Sequence, residues 1–100
     1  MGAGTEADEL RAAAAATIDG AAGDLRALSH GVHADAELAF EEHRSSERLA
    51  TLLEANGVTV ERGVAGMSTA LVGTVGSGPF TVPVCAEYDA LPGIGHACGH

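Results

Sequence analysis

Apolar residues recur at three- and four-residue steps through the first part of the chain, at Leu10, Ala14, Ile18, Ala21, Leu25 and Leu28. That period predicts an amphipathic helix over about Thr5 to His30, opened by Thr5 as N-cap and weakened in its middle by Gly20 and Gly23. After a linker from Gly31 to Ala39, Leu49, Leu52 and Leu53 predict a second helix over about Phe40 to Ala55, with Glu41, Glu42, Arg44, Glu47 and Arg48 on its outer face. Asn56-Gly57 supplies a left-handed C-cap. The period then shortens to two: Val58, Val60 and the alternation through Glu61 predict one short strand and Thr69 to Val75 another. The turn Gly76-Ser77-Gly78-Pro79 leads into a third, Phe80 to Ala86. This last run is apolar on both faces, as expected of a strand covered by helices on both sides, and such a strand delivers its following loop to the ligand-binding edge of an α/β sheet. Pro83 cannot donate to a ladder and fits an edge or a bulge. The expected fold class is α/β, two N-terminal helices followed by a β-meander.

The loop that follows, Glu87-Tyr88-Asp89-Ala90-Leu91-Pro92-Gly93-Ile94-Gly95-His96-Ala97-Cys98-Gly99-His100, gathers two imidazoles, a thiol and two carboxylates in a glycine-rich segment. In an extended stretch His96, Cys98 and His100 share one face, and thiolate beside imidazole suits zinc and its borderline neighbours. Glu87 and Asp89, placed just before them, would strengthen the binding of a dication or stand as ordinary solvated acids.

Composition narrows the classes. The 100 residues carry 14 Asp and Glu against 5 Lys and Arg, a net charge of −9, which argues against a nucleic-acid partner because phosphate backbones are held by clustered cations. The N-terminus is acidic where a secretory leader is basic, and Ala12 to Ala16 is too short and too weakly apolar to span a bilayer, so a cytoplasmic protein without a membrane partner is expected. Two cysteines make no disulfide framework; Cys98 between histidines suits a metal, and Cys85 in a β run suits a small buried core position.

The run Ala86-Glu87-Tyr88-Asp89-Ala90-Leu91-Pro92 followed by Gly95-His96-Ala97-Cys98-Gly99-His100 resembles the metal-binding signature of the aminoacylase and carboxypeptidase-type zinc metallopeptidases. The most similar branch is the amidohydrolases that cleave N-acyl amino acids, aminobenzoyl-glutamate and β-alanyl dipeptides. Leu28-Ser29-His30-Gly31-Val32-His33-Ala34-Asp35-Ala36-Glu37-Leu38-Ala39-Phe40-Glu41-Glu42 likewise resembles that branch's N-terminal motif, a His, a short gap, Pro-Glu-Leu, then an aromatic and Glu. Ala36 stands where the pattern usually has proline, and Pro83 where a small or aliphatic residue is usual.

The resemblance implies that Cys98 and His100 are metal ligands and that Asp89 orients one of them by hydrogen bonding. Glu87 and His96 are further candidates for that supporting role, with a purely loop-structural role open for His96. His33 and Glu37 are read as residues that cap and hydrogen-bond backbone. The resemblance also implies that residues 1–100 form the first part of one catalytic domain, with the general-base Glu beyond His100. The full-length form would be a homodimer acting on a small N-acyl amino acid or dipeptide. Its cofactor would be a divalent metal, zinc first and manganese or cobalt next. The expected function is hydrolysis of an amide bond by metal-activated water, the 100-residue piece alone being inactive. The rival readings are a non-catalytic zinc-binding module, which would need four protein ligands, and an inactive truncated fragment.

Overall fold

A computed structural model of the protein describes residues 3–100. Three helices, α1 (Ala3–Gly20), α2 (Ala22–Asp35) and α3 (His43–Ala55), precede two strands, β1 (Thr59–Arg62) and β2 (Leu71–Thr74), with a single 3-10 turn, Val64–Gly66, between the strands. The mixed α/β order expected from the sequence is present; the linker read over Gly31–Ala39 is helical as far as Asp35, the helix read from Phe40 begins at His43, and two larger changes stand beside these.

The long first helix is broken. Ala21 leaves the helical region at φ −94° and ψ 2°, while its N–H is shared between the carbonyls of Thr17 and Ile18, both at 3.1 Å. Gly20, a poor helix residue, marks the break. Thr5 lies inside α1 rather than at its cap. Leu10 and Ile18 remain 67% and 58% exposed, so the apolar stripe of α1 packs on little. The molecule is accordingly elongated, 55 × 28 × 23 Å, with a radius of gyration of 16.1 Å, against about 13 Å for a compact chain of this length.

The second change is at Phe80–Ala86, which forms no strand. Strand structure requires a neighbour to share its hydrogen bonds, and no described segment pairs with this one; Phe80, Val82 and Val84 are 89%, 83% and 90% exposed. Cys85 is therefore exposed rather than buried.

The helices and strands between these regions are well tied. α2 ends at Ala36 in the left-handed region, φ 44° and ψ 51°, with its N–H on the Val32 carbonyl. Proline, locked near φ of about −65°, could not take that conformation, so the alanine at this position suits the cap. Asp35 accepts from Arg48 Nε at 2.8 Å and lies 3.7 Å from Arg44 Nη1, joining α2 to α3. Gly31 makes room for this pair, because a Cβ there would lie 2.7 Å from Arg48 Nη1.

The C-terminus of α3 closes as Asn56-Gly57 predicts. Gly57 is left-handed at φ 84°, its N–H reaches the Glu54 carbonyl, and the Val58 N–H reaches that of Leu53, both at 3.1 Å. The chain thus turns into β1, which pairs antiparallel with β2 from Thr59 opposite Thr74 to Arg62 opposite Leu71. The sheet rests on α3 at Gly73, where a Cβ would stand 3.0 Å from Val58 Cγ1 and 3.4 Å from Leu53 Cδ1. Arg62 of β1 also reaches back to Glu47 and Glu54 of α3, at 3.0 and 2.7 Å. Among the described residues the buried interior is small: Ala50 and Ala90, with Ser45 and Thr69.

Candidate metal centre

The segment after Ala86 is fixed to the rest of the molecule by long-range contacts. The Ala90 N–H donates to the Glu37 carbonyl at 2.7 Å, and Leu38 and Ala90 form a parallel bridge, so the N-terminal motif lies directly against the loop. Glu37 works at both ends. Its carboxylate accepts the N–H groups of Arg44 at 2.9 Å and Ser45 at 2.7 Å, satisfying first-turn donors of α3 that have no partner within the helix. Burial pushes the Glu37 carboxyl upward, but these hydrogen bonds more than offset it and hold the group below its ordinary value. The backbone-bonding role read for Glu37 is therefore what it performs.

A second tie comes from Tyr88, whose hydroxyl donates to the Thr69 carbonyl at 2.5 Å. Thr69 is 4% exposed, and its own hydroxyl lies 3.5 Å from Glu42 Oε1. Desolvation, with the Glu42 charge nearby, raises the Tyr88 phenol, so it stays a donor. Glu42 is thus half-buried in this network rather than on a fully solvated face.

Downstream, Leu91-Pro92-Gly93-Ile94 is a tight turn with the Ile94 N–H facing the Leu91 carbonyl at 3.4 Å. Pro92 suits its second position, and Gly93 at φ 78° supplies the left-handed third. Leu91 and Gly95 close it with reciprocal bonds of 2.9 and 3.1 Å.

This turn and the left-handed Gly95 and Gly99 replace the extended stretch expected for residues 96–100. His96, Cys98 and His100 consequently do not line up on one face. The His96 ring faces His33, with centroids 6.0 Å apart, and its Nε2 is buried without a hydrogen-bond partner. Cys98 and His100 do meet, because the chain curls at Gly99 and brings Cys98 Sγ onto His100 Nδ1. The other ring nitrogen, Nε2, lies 2.8 Å from Asp89 Oδ1.

Glu87, Asp89 and His100 each offer one ligand atom, and the three atoms lie within 4.8 Å of one another. A carboxylate pair with an imidazole is a donor set that fits a divalent cation, and Cys98 meets His100 outside that group of three. The charges are mutually supporting. Asp89, then Cys98, pushes His100 up to about 9, while the His100 contact holds Asp89 below its usual value and contacts with His100 hold Cys98 below the usual thiol value. Sequence reasoning singled out all four groups. The ties through Tyr88 and Thr69, 19 residues apart, left no local signal. A separate groove of about 780 Å³ between α2 and α3 includes none of these groups.

Comparison with known proteins places these motifs. No family model matches the chain, and no solved structure matches it. Xaa-Arg dipeptidase of Mus musculus is 37% identical over 105 residues, covering 95% of the chain and 24% of that protein. A subunit of the p-aminobenzoyl-glutamate hydrolase of Escherichia coli is 36% identical over 81 residues, 64% of the chain and 17% of the relative. Thermostable carboxypeptidase 1 of Saccharolobus solfataricus is 40% identical over 85 residues, 69% of the chain and 21% of the relative. The chain spans a quarter or less of the length of these relatives. With its two ordered motifs and this set of peptidase and amide-hydrolase relatives, the chain belongs to the aminoacylase and carboxypeptidase-type amidohydrolase family of enzymes.

Proposed function

We propose that the protein carrying this chain is a metal-dependent hydrolase of amide bonds in N-acylated amino acids or dipeptides, and that residues 1–100 form the first part of its catalytic domain. The observation that carries the reading is the convergence of Glu87, Asp89 and His100, with Asp89 at Nε2 of the ring and Cys98 at Nδ1. Relatives named for dipeptides and for p-aminobenzoyl-glutamate support a small substrate with an amide bond beside an amino acid.

In this reading Cys98 and His100 are metal ligands, and Asp89 holds the His100 ring, the familiar arrangement of a carboxylate behind a ligating imidazole. Glu87, grouped with Asp89 and His100, adds a second carboxylate beside the ring. Zinc is the proposed metal, with manganese or cobalt as substitutes. When bound, such a cation lowers the pKa of a water and polarises the scissile carbonyl. The chain's own residues prepare for it: His100 must give up the proton that Asp89 and Cys98 help it retain, so binding releases protons. His96 and His33 lie together beside this loop and are proposed to shape it rather than ligate.

The test is turnover of N-acyl amino acids and dipeptides by the full-length protein, stripped with a chelator and then reloaded. Loss on stripping and recovery with zinc, manganese or cobalt is expected. Full turnover by metal-free protein would overturn the proposal.

A further inference from the structure

We propose that Tyr88 and Glu37 are positioning residues that clamp Asp89 from its two sides and so set the strength of the metal site without touching the metal, an inference that rests on the metal reading above. Asp89 sits between two neighbours, each tied to a different element. On one side the Tyr88 hydroxyl reaches the carbonyl of buried Thr69, just ahead of β2. On the other, Ala90, 2% exposed, donates its N–H to the Glu37 carbonyl. The Glu37 carboxylate in turn holds the first turn of α3 through Arg44 and Ser45.

These ties matter because, among the described residues, no pairing upstream does their work. Within residues 3–100 Phe80–Ala86 pairs with no strand, so the backbone around Asp89 is held there by the ties at Tyr88 and Ala90. With Tyr88 and Ala90 both fixed, the Asp89 backbone has little freedom left, and its carboxylate is directed to His100 Nε2 at 2.8 Å. Releasing either neighbour lets Asp89 sample orientations that miss the ring, and the imidazole loses its support.

Tyr88→Phe is the cleanest probe, since it deletes one hydroxyl and keeps the ring; Glu37→Gln keeps the side-chain length and removes the charge. The measurement is affinity of the full-length protein for Zn²⁺ by chelator competition, with Co²⁺ absorption as a report on ligand geometry. Each variant is expected to bind Zn²⁺ about 10–100-fold more weakly, the range for partners that orient metal ligands, with an altered Co²⁺ spectrum. Because the clamp acts through Asp89, Tyr88→Phe placed on Asp89→Asn should add little further loss. Wild-type Zn²⁺ affinity in Tyr88→Phe overturns the clamp, and so does full additivity in the double variant. If the parent protein itself binds neither ion, the metal reading falls and takes the clamp with it, an outcome visible before any variant is made.

Discussion

Two adjoining stretches of this chain behave in opposite ways. From Phe80 to Ala86 the residues are more apolar and read as a strand, yet they pair with no described segment and expose Phe80, Val82 and Val84 almost fully. From Tyr88 to Gly95 the residues are rich in glycine and proline, yet they are held by the Tyr88 hydroxyl, the Glu37 carbonyl and a closed turn, with Ala90 buried. Local propensity would have ranked them the other way. Order at the candidate metal centre comes from contacts with Glu37 and Thr69, far away in sequence, and not from the strand that precedes it.

The comparison breaks most severely if the ordered stretch can lose its chemistry without consequence. In the full-length protein Cys98→Ala and His100→Ala should each abolish bound metal and turnover, measured as metal content and rate side by side, whereas His96→Ala should do less. The next largest effect is on folding. Ala90→Leu overfills a position that is 2% exposed and should cost about 1–3 kcal/mol in urea unfolding. Val84→Ser, in the neighbour that is exposed among the described residues, should stay within about 0.5 kcal/mol when residues 1–100 are unfolded alone, as surface changes do.

A smaller effect is expected from pH in the metal-free state. Glu37 and Asp89 are held below ordinary values of 4.5 and 3.8, so their contribution is present above those values and is lost as pH falls through the depressed folded-state values. His100, raised from 6.5 to about 9, contributes fully below 6.5 and loses its contribution as pH rises through about 9. The loop should therefore be best held at intermediate pH, and an NMR titration of the His100 ring should show a midpoint well above 6.5 that falls in Asp89→Asn.

The sequence made some of this legible and hid the rest, for physical reasons. α3 was readable because Leu49, Leu52 and Leu53 carry its period and Asn56-Gly57 encodes its end in local backbone preference. Gly20 was visible as a weakness, but whether a glycine bends or ends a helix depends on what packs nearby, and α1 packs on little. The third strand failed because strand structure belongs to a pair of segments, and apolar alternation names only one of them. Residue type marked Asp89, Cys98 and His100 as candidates, and Asp89 and Cys98 each contact His100. Their geometry was not, since left-handed Gly95 and Gly99 curl a stretch that simple alternation treats as straight, turning His96 toward His33. The Glu37 and Tyr88 ties join residues whose spacing carries no periodic signal.

The central claim, that this curled segment is a metal centre with Cys98 in it, is tested most directly by X-ray absorption on the zinc-loaded full-length protein. The account predicts one sulfur neighbour at about 2.3 Å beside nitrogen and oxygen neighbours at about 2.0–2.2 Å, with the sulfur lost in Cys98→Ala. A zinc shell of nitrogen and oxygen alone, unchanged by Cys98→Ala, would contradict it.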